Sequence, residues 1–320
     1  MLEASAAVVT GPRAAAVRRV PKPVPGPGDV LVRLEGCGVC GSSLPFWEGR
    51  SWFTYPGDPG APGHEGWGVV EAVGDEVTTV RAGDRVAALS FHAFAEYDLA
   101  EADAVVPLPE SLARQPFPGE AIGAAVNALQ RGSVRAGDTV VVIGIGFLGA
   151  ILTRLAAGAG ARVVAVSRRP YALEVARAQG ADVALPFESP ERIVREVSDL
   201  TGGTLADRVF EAVGLQHALD LAGELTRIRG TLVIAGYHQD GPRTVDMQLW
   251  NWRGLDVINA HEREPAAYVR GIREAVSLVS DGRLDPAPLY THRFPLDRAG
   301  EALEAMRTRP DGFLKALVTP

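Results

Sequence analysis

The chain has 320 residues, 47% of them hydrophobic and 22% charged, and a formal charge of −7. That length exceeds what one hydrophobic core usually serves, so two domains are expected, and the negative balance argues against nucleic acid or an anionic membrane as a partner. With only Cys37 and Cys40, a disulfide framework is excluded.

The first residues, MLEASAAVVTGPRAAAVRRV, lack a basic segment followed by an apolar core, so a cytoplasmic location is expected. Residues 1 to 110 read as β-rich. Short runs such as DVLVRLEG, GVVEAVG and DRVAALS alternate with Gly, Pro and Asp punctuation. Within this region stand GCGVCGSSLPFWEGR, carrying Cys40, and PGHEGWGVV, which sets His64 and Glu65 between glycines 24 residues further on. A lone histidine is more often a surface or core residue, and Cys-x-x-Cys can be a redox pair.

From about residue 120 apolar strands (TVVVIG, RVVAVS, DRVFEAV, GTLVIAGY) alternate with helical segments (GAILTRLAAGAG, YALEVARAQG, LQHALDLAGEL). This alternation predicts an α/β fold, a doubly wound parallel sheet. The longest apolar run, TVVVIGIGFLGAILT, is too short and too glycine-rich to span a bilayer. It contains Gly144-Ile145-Gly146-Phe147-Leu148-Gly149, a G-x-G-x-x-G between a predicted strand and a predicted helix. The first glycine permits a tight turn, the second lets backbone approach a pyrophosphate, and the third lets helix pack on strand. Gly144, Gly146, Phe147, Leu148 and Gly149 are therefore expected to bind a dinucleotide. The next strand ends in Ser167, Arg168 and Arg169, where an NAD-binding chain usually carries an acid for the ribose 2′-hydroxyl. Serine and guanidinium suit a 2′-phosphate, so NADP(H) is expected over NAD(H). After about 260 come two amphipathic helices and a closing strand, FLKALVT.

Beside a dinucleotide domain, Cys40 and His64 suggest a catalytic zinc with Cys, His and carboxylate ligands and one open position. GVCGSS, PGHEGWGVVEAVG, AGDRVA, FAEY, GEAIGAAVNAL and IGIGFLG follow in an order that resembles the zinc-dependent medium-chain alcohol and polyol dehydrogenases. The resemblance covers essentially the whole chain. It implies a GroES-like catalytic domain (1–119 and 260–320) around a Rossmann domain (120–259). It also implies that Cys40, His64 and Glu120 hold zinc, with Glu65 as an exchange ligand, and that Ser42 is the first hydroxyl of a proton relay. Lys315 matches a basic position that reaches the cofactor phosphates. Phe46 and Trp47 echo an aromatic pair of polyol dehydrogenases, and Phe91 and His92 are further candidates for the substrate pocket. The stretch LWNWRGLDVINAHERE corresponds to an edge strand used in dimerisation, so a homodimer is expected.

The chain also departs from that pattern. GDRVAALSFHAFAEY lacks the cysteine-bearing lobe that holds a second, structural zinc. Ser43 replaces an aspartate that would support the histidine ligand, and Pro45 replaces a histidine at the end of the relay. Cys37 fits as a small strand residue behind the ligand. The function expected is hydride transfer between NADP(H) and a secondary alcohol or ketone of polyol type, with one zinc. The rivals are a zinc-free quinone or enoyl reductase of the same superfamily and an NADPH-binding sensor without catalysis.

Overall fold

The computed structural model describes residues 2–320 and divides into two compact units, Met1–Gly123 with Arg263–Pro320, and Ala124–Glu262. In the second unit six strands lie in the order Val183–Pro186, Arg162–Ser167, Thr139–Ile143, Ala206–Glu211, Thr226–Ile234 and Asp256–Asn259. Every pairing is parallel. Numbered along the chain this is 3-2-1-4-5-6, the doubly wound order with its switch point between the first and fourth strands. The reason lies in composition. Val140, Val141, Val142 and Ile143, and Val163 to Val166, are all fully buried, as a parallel strand covered on both faces requires.

The first unit is built on a mixed sheet in which Asp29–Gly38 is the hub. It pairs antiparallel with Glu65–Val73, with Tyr97–Glu101 and with the closing strand Ala316–Thr319. Glu65–Val73 continues to Arg85–Ala88 and Val105–Pro107, while a separate hairpin joins Glu3–Gly11 to Ala14–Pro21. The register sets Gly38 opposite Glu65, Cys37 opposite Gly66 and Val318 opposite Cys37. Three distant segments, ending at Gly38, starting at Glu65 and closing after Lys315, therefore meet at one end of the sheet. Among the described residues no helix is long and apolar enough to cross a membrane.

Candidate metal centre and dinucleotide turn

Cys40 leaves the end of the hub strand in extended conformation and opens the short helical stretch Gly41–Ser43. His64 immediately precedes the strand Glu65–Val73. Cys40 Sγ, a His64 ring nitrogen and a Glu65 carboxylate oxygen all lie within 4.8 Å of one another. His64 Nδ1 is 2.9 Å from the Pro62 carbonyl oxygen. A carbonyl only accepts, so Nδ1 carries the proton, and Nε2 turns towards Cys40 and Ser42 Oγ, the latter at 3.4 Å. Ser43 Oγ reaches the same Pro62 carbonyl at 3.5 Å. The peptide carbonyl thus orients the imidazole where a carboxylate was missed in the sequence.

Burial works to lower the His64 pKa. The Cys40 sulfur, as hydrogen-bond partner and as charge, outweighs it together with Glu120 and Glu65, and carries the value up to about 10. The same anionic field favours a metal cation at Nε2. A thiol, an imidazole with its far nitrogen anchored and a carboxylate fit the donor set of an open catalytic zinc site.

Glu120, in the first turn of the helix Gly119–Gly132, lies outside that tight trio but beside it. Burial pushes its carboxyl up to about 7, with His64 and Lys315 opposing the rise and Glu65 adding to it. Sequence reasoning placed Glu120 ahead of Glu65 as the third donor, and the tight trio instead contains Glu65. Glu65 itself is 1% exposed and Lys315 3%. Lys315 Nζ donates to Glu65 Oε1 at 2.6 Å and to the Val39 carbonyl at 3.1 Å. Lys315, expected at the cofactor phosphates, is here the ion-pair partner of Glu65. A buried carboxylate needs a cation, and this lysine is committed to it. The close packing depends on Gly38, where a Cβ would fall 1.8 Å from Glu65 Oε2. Cys37 is fully buried, and burial, with Glu65 adding, holds its thiol well above the usual range.

Phe46 and Trp47, expected at the substrate pocket, are both largely enclosed. Trp47 is 3% exposed, lies on Gly300 and donates from Nε1 to Glu304 Oε2 at 3.0 Å. Phe46 packs between Phe53 and Tyr55, each ring centroid 5.2 Å away. Both rings belong to the core, because each is enclosed by apolar or hydrogen-bonding neighbours. Phe91 and His92 have exposed side chains, with the His92 N–H on Asp98 Oδ2. Their backbone nonetheless packs on the residues just before His64: Ala93 N donates to the Gly63 carbonyl and Phe94 N to that of Gly60.

In the second unit Gly144 has φ +94°, and its N–H bonds the Val166 carbonyl at 2.8 Å. A Cβ at Gly149 would meet the Gly144 oxygen at 2.0 Å, whereas one at Gly146 would meet nothing within 4 Å. The third glycine is thus demanded by packing, and the second faces open space at the start of the helix Phe147–Gly158, the end of a helix that favours an anion. Phe147 is buried and Leu148 half-buried on its first turn. Ser167 is buried, with its Oγ accepting the Arg169 N–H at 3.4 Å. The Arg169 guanidinium donates to the Ile145 carbonyl at 3.1 Å, bracing the turn, while Arg168 is exposed. Sequence reasoning missed the Pro62 carbonyl, the Glu65–Lys315 pair and the demand on Gly38, none of which has a local signal.

The alcohol dehydrogenase GroES-like domain family matches residues 26–110, and the zinc-binding dehydrogenase family matches residues 144–275. The chain belongs to the zinc-dependent medium-chain dehydrogenase/reductase superfamily. It is an alcohol or polyol oxidoreductase whose cofactors are zinc and a nicotinamide dinucleotide. Sorbitol dehydrogenase of Gallus gallus is 30% identical over 90% of this chain and 88% of its own. An alcohol dehydrogenase of Rhizobium meliloti (strain 1021) is 34% identical over 69% of this chain and 73% of its own. A structure described as a proposed zinc-binding dehydrogenase of Sinorhizobium meliloti 1021, bound to NADP, superposes with a TM-score of 0.86 at 24% identity, covering all of both chains, and shows the fold.

Proposed function

We propose that Cys40, His64 and a carboxylate from Glu65 or Glu120 hold one zinc, and that the enzyme exchanges hydride between NADP(H) and a secondary alcohol or ketone of polyol type. The observation that carries this reading is the convergence of thiol, imidazole and carboxylate within 4.8 Å. It weighs against a zinc-free reductase and against a sensor without catalysis. When bound, the metal would polarise the substrate oxygen as a Lewis acid and the nicotinamide would take or return the hydride. The chain's own residues do the rest. Pro62 holds the His64 ring in the tautomer that presents Nε2. Ser42 Oγ, beside that ring, relays the proton: in oxidation it accepts the substrate hydroxyl proton as its own O–H proton passes on to solvent water, and in reduction the same transfers run in reverse. Lys315 balances the charge of Glu65 so that the anionic donors do not repel one another out of the site.

The NADP(H) preference is supported by the exposed Arg168 beside Ser167, with no acid at this strand end, and by the NADP in the Sinorhizobium protein. Two free thiols suit the reducing cytoplasm. A homodimer is supported by the open edge strand Asp256–Asn259 and the 85% exposed Trp252 before it. The test is zinc per chain by elemental analysis, for the native protein and Cys40→Ser, with kcat/KM for NADP+ and NAD+ before and after Arg168→Ala. One zinc, lost in Cys40→Ser, and an NADP+ preference lost in Arg168→Ala are expected. Absence of zinc after reconstitution overturns the site, and an unchanged coenzyme ratio overturns the arginine's role.

A further inference from the structure

The dinucleotide turn is braced on its open side by residues that no part of the reading above uses. A Cβ on Gly144 would meet Val213 Cγ2 at 2.4 Å, so the turn after Ala206–Glu211 lies directly against the first glycine. That turn is held by Glu211, which is wholly buried. Its Oε1 accepts the N–H groups of Val213 at 2.7 Å and Gly214 at 2.8 Å. Its Oε2 faces His238 Nε2 at 2.9 Å. On the other ring nitrogen, His238 Nδ1 accepts from Arg243 Nε at 2.9 Å. A guanidinium only donates, so the imidazole is neutral at Nδ1 and its proton sits on Nε2, directed at Glu211. Arg243 also donates to the Gly214 carbonyl at 2.9 Å and to Asp240. Backbone packing closes the same loop: a Cβ on Gly236 would meet Gly214 N at 2.3 Å and Glu211 Oε2 at 2.6 Å.

Every donor in this ladder meets an acceptor, and the order of donors is fixed from one end to the other. Arg243 donates to His238, His238 to Glu211, and the Val213 and Gly214 amides to Glu211. The assembly sits beyond the carboxyl ends of adjacent parallel strands, Ala206–Glu211 and Thr226–Ile234, next to the switch point where open α/β sheets bind dinucleotides. We propose that Arg243, His238 and Glu211 are positioning residues for the dinucleotide: they hold Val213 and Gly214 against Gly144 and so set the shape of the phosphate-binding turn. Arg169 braces the same turn from its other side through the Ile145 carbonyl. The inference rests on the dinucleotide reading of Gly144–Gly149.

Two variants test it on the intact chain. Arg243→Ala removes the donor to His238 and Gly214 at a side chain that is 16% exposed, where truncation leaves the core untouched. Glu211→Gln keeps the shape but leaves one acceptor oxygen where the carboxylate has two. Whichever way the amide turns, its NH2 faces either His238 Nε2–H or the Val213 and Gly214 N–H groups, and a proton moved to His238 Nδ1 would meet the Arg243 N–H, so one rung must break. The readouts are the dissociation constant for NADP+ by fluorescence titration, amide hydrogen exchange at Val213 and Gly214, zinc content, and the split of kcat from KM. In both variants the dissociation constant and the KM for the dinucleotide are expected to rise about tenfold. Exchange at Val213 and Gly214 should quicken, with zinc content and kcat at saturating dinucleotide kept. Arg243→Lys, which retains one donor, should fall between. Dinucleotide affinity within twofold of the native protein in both variants, or unchanged exchange at the two amides, overturns the proposal and leaves the dinucleotide reading standing. A native protein that binds neither NADP+ nor NAD+ overturns that reading and this inference with it.

Discussion

Lys315→Met tests the energetics of the metal centre most directly. The lysine is 3% exposed and its partner Glu65 1%, and the ammonium also bonds the Val39 carbonyl. Methionine nearly matches the volume and fits the same channel past Gly38, so the change removes charge and little packing. What remains is a carboxylate deep in the protein without its cation. Breaking a buried pair from one side costs about 3–5 kcal/mol, whereas replacing both partners costs far less. Against a typical total of about 5–15 kcal/mol, this is a large fraction of the fold's stability. Urea denaturation of the metal-free protein should therefore show a loss of about 3 kcal/mol or more in Lys315→Met, and most of it should return in Glu65→Gln/Lys315→Met. A single-variant loss below about 1 kcal/mol would mean that the pair is screened like a surface ion pair. A double variant no better than the single would show that the lysine acts through packing. Either result refutes the electrostatic account.

Three further outcomes follow from the same geometry. Ser42→Ala should lower kcat by about 10²–10⁴-fold with zinc content unchanged, because the hydroxyl moves a proton and is not a donor to the metal; equal rates would remove Ser42 from the relay. Gly149→Ala places a Cβ 2.0 Å from the Gly144 oxygen, a rigid backbone atom, so melting temperature should fall and NADP+ binding weaken, by about 1–3 kcal/mol in stability. Arg307 foremost, then the Trp47 indole N–H, hold the Glu304 carboxyl down at about 2. The folded value lies below the ordinary 4.5, so this stabilisation is present above pH 4.5 and is lost as pH falls towards 2. Glu304→Gln should therefore be less stable than the native protein at pH 7, with the gap closing across that window. Because the side chain is 38% exposed, the effect should be small and should shrink further in salt.

The features legible in the sequence were those that repeat locally or carry a fixed spacing. Parallel strands buried on both faces must be runs of Val and Ile, so 139–143 and 162–167 announced themselves. A tight strand-to-helix turn must be glycine at set intervals, so Gly144, Gly146 and Gly149 did as well. Cys40 and His64 could be paired because their flanking motifs have a recognisable order. The third carboxylate could not be chosen, since Glu65 and Glu120 are separated along the chain and only strand register decides which one stands against the sulfur. The surroundings of Phe46 and Trp47 were illegible for a related reason. An aromatic residue has the same letter whether it lines a pocket or fills a core, and the partners that enclose these rings, Tyr55, Gly300 and Glu304, come from elsewhere.

What the sequence determined by itself is the class of each segment, because hydrophobic period and turn chemistry are short-range properties of the chain. What only the tertiary structure decided is which charges and hydrogen-bond donors satisfy one another. Lys315 meets Glu65 across 250 residues of chain, and Arg243 meets His238 and Gly214 through a loop closure. Such pairings are set by the demand that every buried polar group find a partner. That demand acts through space, and no window of neighbouring residues contains it.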